Sequence, residues 1–398
     1  MAGMRIPSLL LLAPLALAAD HWVGTWGAAP SPPATRPELE KSGLVFSNHT
    51  VRQTVHVSLG GKQLRVRLSN AYGSQKTEIG AATVAVKGGA PKPLTFGGRT
   101  AVTLPPDALF LSDPLPLDVP AGGDLVVSLY LPKATPAAGI HYGAQQTNQV
   151  LEGNQTANAA PTGGRTITSW VFLTGVDVLA SEKAGAIVAF GDSITDGARS
   201  TVDANRRWPD TLASRLRALN RWGVVDMGIG GNRVLHDAVP PNIRFGLNAL
   251  ARFERDVLAV PGVKYAIILE GINDLGHAGT SAPASETVSA DDLIAGYKQM
   301  IERAHARGVK VLLGTITPFE GTVFPGYYSP EKDAKRRAIN DWIRQGAGFD
   351  GVVDFEKAVR DPAAPGKMLK KYDGGDWLHP GDAGYQAMGE AVDLKLFR

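Results

Sequence analysis

The period of the apolar residues changes once along this chain, at Ser181–Gly185, and that change implies two differently built units. From Trp22 to about Ala180 apolar and polar residues alternate in short runs: VRQTVHVSL, KQLRVRLSN, ATVAV, TAVTL, DLVVSLYLP and RTITSWVFLTGVDVL. A period of two marks half-buried strands, and Gly, Pro and Asp separate the runs without any helical period between them. The first unit, residues 20–180, is therefore expected to be an antiparallel β-sandwich of jelly-roll type. Gly60-Gly61 lies between two alternating runs and reads as the tight turn of a hairpin.

Beyond the break, AIVAF, VVDM, YAIILE, VKVLLGTI and GVVDF alternate with longer helical stretches. In the helix expected over Asp292–Ala306, Leu293, Ile294, Tyr297, Met300, Ile301 and Ala304 share one face. Ser289 with Asp292 three later forms its cap, and Gly308 stops it. Near-continuous apolar strands alternating with helices mean a parallel sheet covered on both faces, so residues 184–398 are expected to be an α/β unit. A chain of 398 residues is long enough for two such cores.

The first residues, MAGMRIPSLLLLAPLALAAD, carry one Arg, an apolar run and Ala16-Leu17-Ala18. They read as a secretory signal peptide over residues 1–19, too short and too Pro-broken for a stable membrane anchor, so the protein is expected to be secreted or periplasmic. There is no Cys, which excludes disulfides, thiol catalysis and thiolate metal sites. The near balance of 41 basic and 38 acidic residues offers no nucleic-acid face. Gly228-Ile229-Gly230 lacks the third glycine of a dinucleotide loop, because position 233 is Arg, and no paired His suggests a metal; no cofactor is expected.

The run AIVAFGDSITDG delivers Ser193 to a sheet edge, where open α/β sheets place their chemistry. A nucleophilic serine needs a His, and the His an orienting group. Of eight histidines, His56 and His305 lie on outward faces, and His21, His49 and His141 belong to the β unit. Among His236, His277 and His379, only His379 combines a carboxylate at short fixed spacing, Asp376, with a loop setting, in Gly-Gly-Asp-Trp-Leu-His-Pro. An oxyanion needs donors. The Ser193 N–H, the glycines of DMGIGGN after the second strand and the Asn273 amide after the third are all brought to the same edge.

These blocks resemble the SGNH, or GDSL-type, hydrolase superfamily. They are Gly191-Asp192-Ser193 with Ile-Thr-Asp-Gly after it, Gly231 in the glycine block, Asn273 in Gly-Ile-Asn-Asp, and Asp376 with His379 in Asp-Trp-Leu-His-Pro. All four occur in order over roughly residues 184–398, with Ile194 where Leu is commoner. The resemblance implies a flavodoxin-like three-layer α/β/α fold, Ser193 as nucleophile, His379 as base and Asp376 as its orienter. It also implies an oxyanion hole of Ser193 N–H, Gly231 N–H and the Asn273 amide. Physics alone does not choose Gly231 over Gly230; Gly231 is taken because it precedes Asn232, as in relatives, and Gly228 and Gly230 are read as turn formers.

The substrate is less constrained. Gly271–Ala290 is small and polar, with no amphipathic lid and no evident apolar channel, so a short acyl group is expected. Phe319, Phe324, Tyr327 and Tyr328 either stack on a sugar or aryl ring or form a loop's own core. Arg233 and His236 either touch substrate or are solvated, and Trp377 either walls the pocket or packs. A secreted acetyl esterase acting on carbohydrate is favoured, with a general carboxylesterase or a lysophospholipase next. A carbohydrate-binding protein with an inactive hydrolase unit is the reading from another class.

Overall fold

A computed structural model describes residues 21–397 of the chain; the leader read at residues 1–19 lies outside them. The alternating runs of the first half become two antiparallel sheets. One carries, in order, Trp22–Gly27, Leu173–Leu179, Gly61–Ser69 and Leu115–Val119. The other carries Arg165–Ile167, Asn148–Glu152, His49–His56, Asp124–Leu131, Ala81–Val86 and Lys92–Pro93. Leu64, Val66 and Leu68 from the first sheet and Val51, Val55, Leu125, Val127 and Leu129 from the second are buried in one core, the inward set of a β-sandwich.

The hairpin expected at Gly60-Gly61 does not form. His49–His56 and Gly61–Ser69 belong to different sheets, and the chain crosses between them at the glycine pair. A Cβ on Gly60 would lie 2.5 Å from Val119 O, and one on Gly61 2.9 Å from Leu179 O. These glycines serve close backbone approach rather than a left-handed turn. Alternation identifies strands but does not say which strands pair.

The second half forms a five-stranded parallel sheet ordered Trp222–Gly228, Gly185–Gly191, Val263–Leu269, Lys310–Gly314, Gly351–Val353. Numbered along the chain the order is 2-1-3-4-5, the flavodoxin-like winding, whose ligands sit where the order reverses. Helices Trp208–Leu216 and Asp382–Ala391 pack on each other, as do Ala290–His305 and Pro330–Gln345. The helix expected from Asp292 starts at Ala290. Its cap is as read: Ser289 Oγ accepts from Asp292 N–H at 3.1 Å, and the Asp292 carboxylate accepts from Ser289 N–H at 2.9 Å.

Trp222–Gly228 is an edge strand, and the β-sandwich covers it. Ser58 Oγ accepts from Val224 N–H (2.8 Å) and donates to Thr25 O (2.7 Å), giving the edge amide a partner. A Cβ on Gly223 would stand 2.1 Å from Gly24 O, so glycine at 223 lets the two backbones touch. Buried residues of both halves form one continuous core. Among the described residues no helix is long and apolar enough to cross a membrane.

Candidate active site

The first strand of the parallel sheet ends at Gly191, where a Cβ would meet Leu269 O at 2.2 Å, so only glycine lets the two strand ends converge. Asp192 then caps the short helix Ser193–Asp196, its carboxylate accepting from Ile194 N–H at 2.9 Å. Ser193 is thereby held at the C-terminal edge of the sheet, largely buried. Its Oγ lies 2.8 Å from His379 Nε2.

His379 Nδ1 lies 2.9 Å from Asp376 Oδ2. The three-residue spacing works because Asp376 Oδ1 accepts backbone N–H groups of Leu378 (3.1 Å) and His379 (2.8 Å), folding the loop around the carboxylate. Arg199 Nε donates to Asp376 Oδ2 at 2.9 Å. Burial works to raise the Asp376 carboxyl, but the hydrogen bonds and charge of His379, with Arg199, hold it well below the usual range. An ionised Asp376 accepts a hydrogen bond from Nδ1–H, which fixes the tautomer and leaves the Nε2 lone pair directed at the serine hydroxyl.

Two further strand ends meet this group. Gly231 has φ +79°, and a Cβ there would lie 2.3 Å from the Phe245 ring, so conformation and space both demand glycine. The N–H groups of Ser193 and Gly231 make no hydrogen bond among the described residues. Asn273 Nδ2 donates to Asn232 O at 2.8 Å, and Asn273 Oδ1 accepts from the Tyr327 hydroxyl at 2.7 Å. These two partners fix the amide orientation and leave its second N–H for the cavity. Of the two glycines read as turn formers, Gly230 is one, in the turn closed by Asn232 N–H to Ile229 O at 3.1 Å, whereas Gly228 is not. Gly228 ends a strand, and its Cβ would strike Asp196 N at 2.4 Å; Gly230 lines the cavity.

Beneath the site Arg252, fully buried, donates to Gly191 O, Met227 O and Asn232 Oδ1, each at 2.8 Å. One guanidinium thus ties the ends of two strands to the glycine block. Asp274 accepts from Val234 N–H (2.8 Å) and Leu235 N–H (3.0 Å), anchoring the same block to the third strand end. Burial pushes the carboxyls here upward, Asp192 to about 7 and Asp274 to about 6, with Glu270 well above its ordinary value.

Ser193, Gly231, Asn273 and His379 open on a cavity of about 880 Å³. The expectation of no apolar channel is not met: Val239, Pro240, Phe245, Phe324 and Leu378 wall it. Those walls come from loops distant in sequence from Gly271–Ala290, so that stretch alone could not reveal them. The aromatic loop divides its labour. Phe319 packs on Tyr327 and Tyr328, with ring centroids 6.0 and 5.2 Å away, whereas Phe324 and Tyr327 line the cavity, Phe324 with its ring 6.3 Å from that of His379.

Arg233 is buried and paired with Glu286, neither solvated nor in the cavity wall, and His236 and Trp377 do not line it either. Sequence reasoning passed over Arg199 and Arg252, for which no local pattern points at the site, and read Tyr327 only as a stacking or packing ring. It weighed His277 only as a base and set it aside, although this residue lines the cavity and stands four residues after Asn273 on the same short helix.

Residues 189–387 match the GDSL-like lipase/acylhydrolase family. Solved structures resemble about half of the chain. A putative acylhydrolase from Bacteroides fragilis is 22% identical, covering 55% of this chain and 89% of that one, with a TM-score of 0.40. The native aryl esterase of M. smegmatis is 19% identical, covering 52% and 96%, with a TM-score of 0.41. A carbohydrate acetylesterase from Sinorhizobium meliloti is 17% identical, covering 52% and 95%, with a TM-score of 0.40. A comparison with curated proteins finds no match.

Proposed function

The chain belongs to the GDSL-like lipase/acylhydrolase family, and on that premise we propose that it is an exported carboxylic ester hydrolase acting through a Ser193 acyl-enzyme. The observation that carries this reading is the relay of 2.8 Å from Ser193 Oγ to His379 and 2.9 Å from His379 to Asp376, opening into the cavity. Ser193 Oγ attacks the ester carbonyl carbon as His379 Nε2 takes its proton, and Asp376 stabilises the imidazolium. The carbonyl oxygen, now anionic, receives hydrogen bonds from the N–H groups of Ser193 and Gly231 and from the Asn273 amide. Collapse expels the alcohol, protonated by His379. Water, deprotonated by the same imidazole, then attacks the acyl-serine and releases the acid.

The apolar walls support the general carboxylesterase reading ahead of an acetyl ester of carbohydrate, because Val239, Pro240, Phe245 and Phe324 offer buried area to an alkyl or aryl group. The test is turnover of p-nitrophenyl esters from acetate to octanoate by wild type and Ser193→Ala. Wild type should gain up to about fourfold in kcat/KM per added methylene while the chain still fits, the factor equivalent to about 0.8 kcal/mol. Ser193→Ala should lose about 10⁴-fold or more in kcat. Acetate as the best ester would return the acetyl-carbohydrate reading, and equal turnover by the two proteins would leave only a binding protein.

A further inference from the structure

Resting on the esterase reading, we propose that His277 is a substrate-recognition residue whose imidazole hydrogen-bonds an uncharged hydroxyl of the ester substrate. His277 is only 7% exposed, and what it exposes lines the cavity. Its ring nitrogens make no hydrogen bond to any described residue. It is held instead by rings, with Phe245 at 5.2 Å and Tyr327 at 5.6 Å between centroids. A polar group that faces a binding cavity and has no protein partner depends on water or on the ligand for its hydrogen bonds, and a ligand that displaces the water must supply them.

Its position follows from the helix. Asn273 and His277 are one turn apart on Ile272–His277, so they present to the same cavity about 6 Å apart along the axis. When the substrate carbonyl oxygen sits at Asn273, the group at His277 lies a few bonds beyond the reacting carbon. The charge of the partner is set by the surroundings. Burial, then Arg233 and Lys332, push His277 down to about 4, so the ring stays neutral at ordinary pH. Both cations are already engaged, Arg233 by Glu286 and Lys332 by the carbonyls of Gly276, Ala278 and Gly326. A neutral imidazole offers one donor and one acceptor, which a hydroxyl answers with its acceptor and donor. A substrate lacking that hydroxyl displaces cavity water and leaves the ring unpaired, which is how a site built for a hydroxyl rejects its deoxy analogue.

The experiment compares kcat/KM within two ester pairs. Ethyl butyrate against each enantiomer of ethyl 3-hydroxybutyrate probes the acyl side, and butyl acetate against each enantiomer of 3-hydroxybutyl acetate probes the alcohol side. Wild type should prefer the hydroxylated member of one pair by about tenfold or more. In His277→Phe that ratio should fall to near one, and His277→Gln, which keeps a donor and an acceptor, should retain part of it. The ratio within one preparation does not depend on how much of a variant has folded. Wild-type ratios near one in both pairs, an undiminished preference in His277→Phe, or a stronger preference for the anion monoethyl succinate overturns the assignment while leaving the esterase reading intact. Turnover of none of these esters overturns both.

Discussion

Two histidine–carboxylate pairs flank the short Ser193–Asp196 helix, and their geometry is nearly the same on one side. His379 Nδ1 lies 2.9 Å from Asp376 Oδ2; His141 Nε2, from the β-sandwich, lies 2.9 Å from Asp196 Oδ1. They differ in what the other ring nitrogen faces. For His379 it is the Ser193 hydroxyl, which has a proton to give. For His141 it is Ala29 O at 3.0 Å, which can only accept. Both His141 hydrogen bonds are met when both ring nitrogens carry protons, so this ring has no lone pair to offer. Burial resists that charge, but Asp196 and the Ala29 carbonyl outweigh it and raise the His141 pKa. A nearby carboxylate therefore orients a histidine; an uncommitted lone pair is what makes it a base.

The widest separation between the pairs should appear in turnover. His379→Ala is expected to lower kcat for p-nitrophenyl butyrate by about 10⁴-fold or more. His141→Ala, normalised to the folded fraction by circular dichroism, should lose less than about tenfold, because His141 touches no reacting atom. Comparable losses would erase the distinction between base and clamp.

Stability should show the reverse ranking. His141→Gln breaks a buried ion pair between the two halves and should cost about 3–5 kcal/mol in urea unfolding near pH 6. The sign with pH follows from the raised pKa. The stabilisation is complete below the unfolded-state value of about 6.5 and is lost as pH climbs through the higher folded value. The gap between wild type and His141→Gln should thus narrow from about pH 6 towards pH 9. A gap that widens would mean that His141 is buried neutral.

The smallest effect sharpens the His379 side. Arg199 shares Asp376 Oδ2 with His379, but its side chain is 54% exposed. Arg199→Gln should lower kcat only about two- to tenfold, and added salt should shrink the difference, as expected for a screened surface charge. A loss beyond about 100-fold, insensitive to salt, would move Arg199 from an outer support into the essential relay.

Much of the site was legible because a parallel sheet brings strand ends to one edge whatever the loops do. Ser193, Gly231, Asn273, Asp376 and His379 each follow a readable signal, and the structure brings all five together. His277 was legible in principle, four residues after Asn273 and three after Asp274, but it lies on a helix, and a search for an Asp–His pair in a loop discards it. Tyr327 was read as a stacking ring or a core residue; that its hydroxyl holds Asn273 Oδ1 depends on a loop 54 residues away. No local pattern marks Arg252, because its three oxygen acceptors, Gly191 O, Met227 O and Asn232 Oδ1, lie at the ends of two different strands and in the loop after the second.

The local periods by themselves determined the two kinds of architecture and the edge that carries the chemistry, since side-chain period and strand-end position are local properties, while the winding of the parallel sheet was implied by the family resemblance. Pairing and enclosure are not local. Only the tertiary structure sent Gly60-Gly61 across the sandwich rather than around a hairpin, set Ser58 on the exposed edge amide of Val224, and locked His141 against Asp196. It alone closed an apolar cavity from loops that no single window of sequence contains. Each of these rests on which atoms distant in sequence come within a few ångströms of one another, and that is set by packing within and between the two halves.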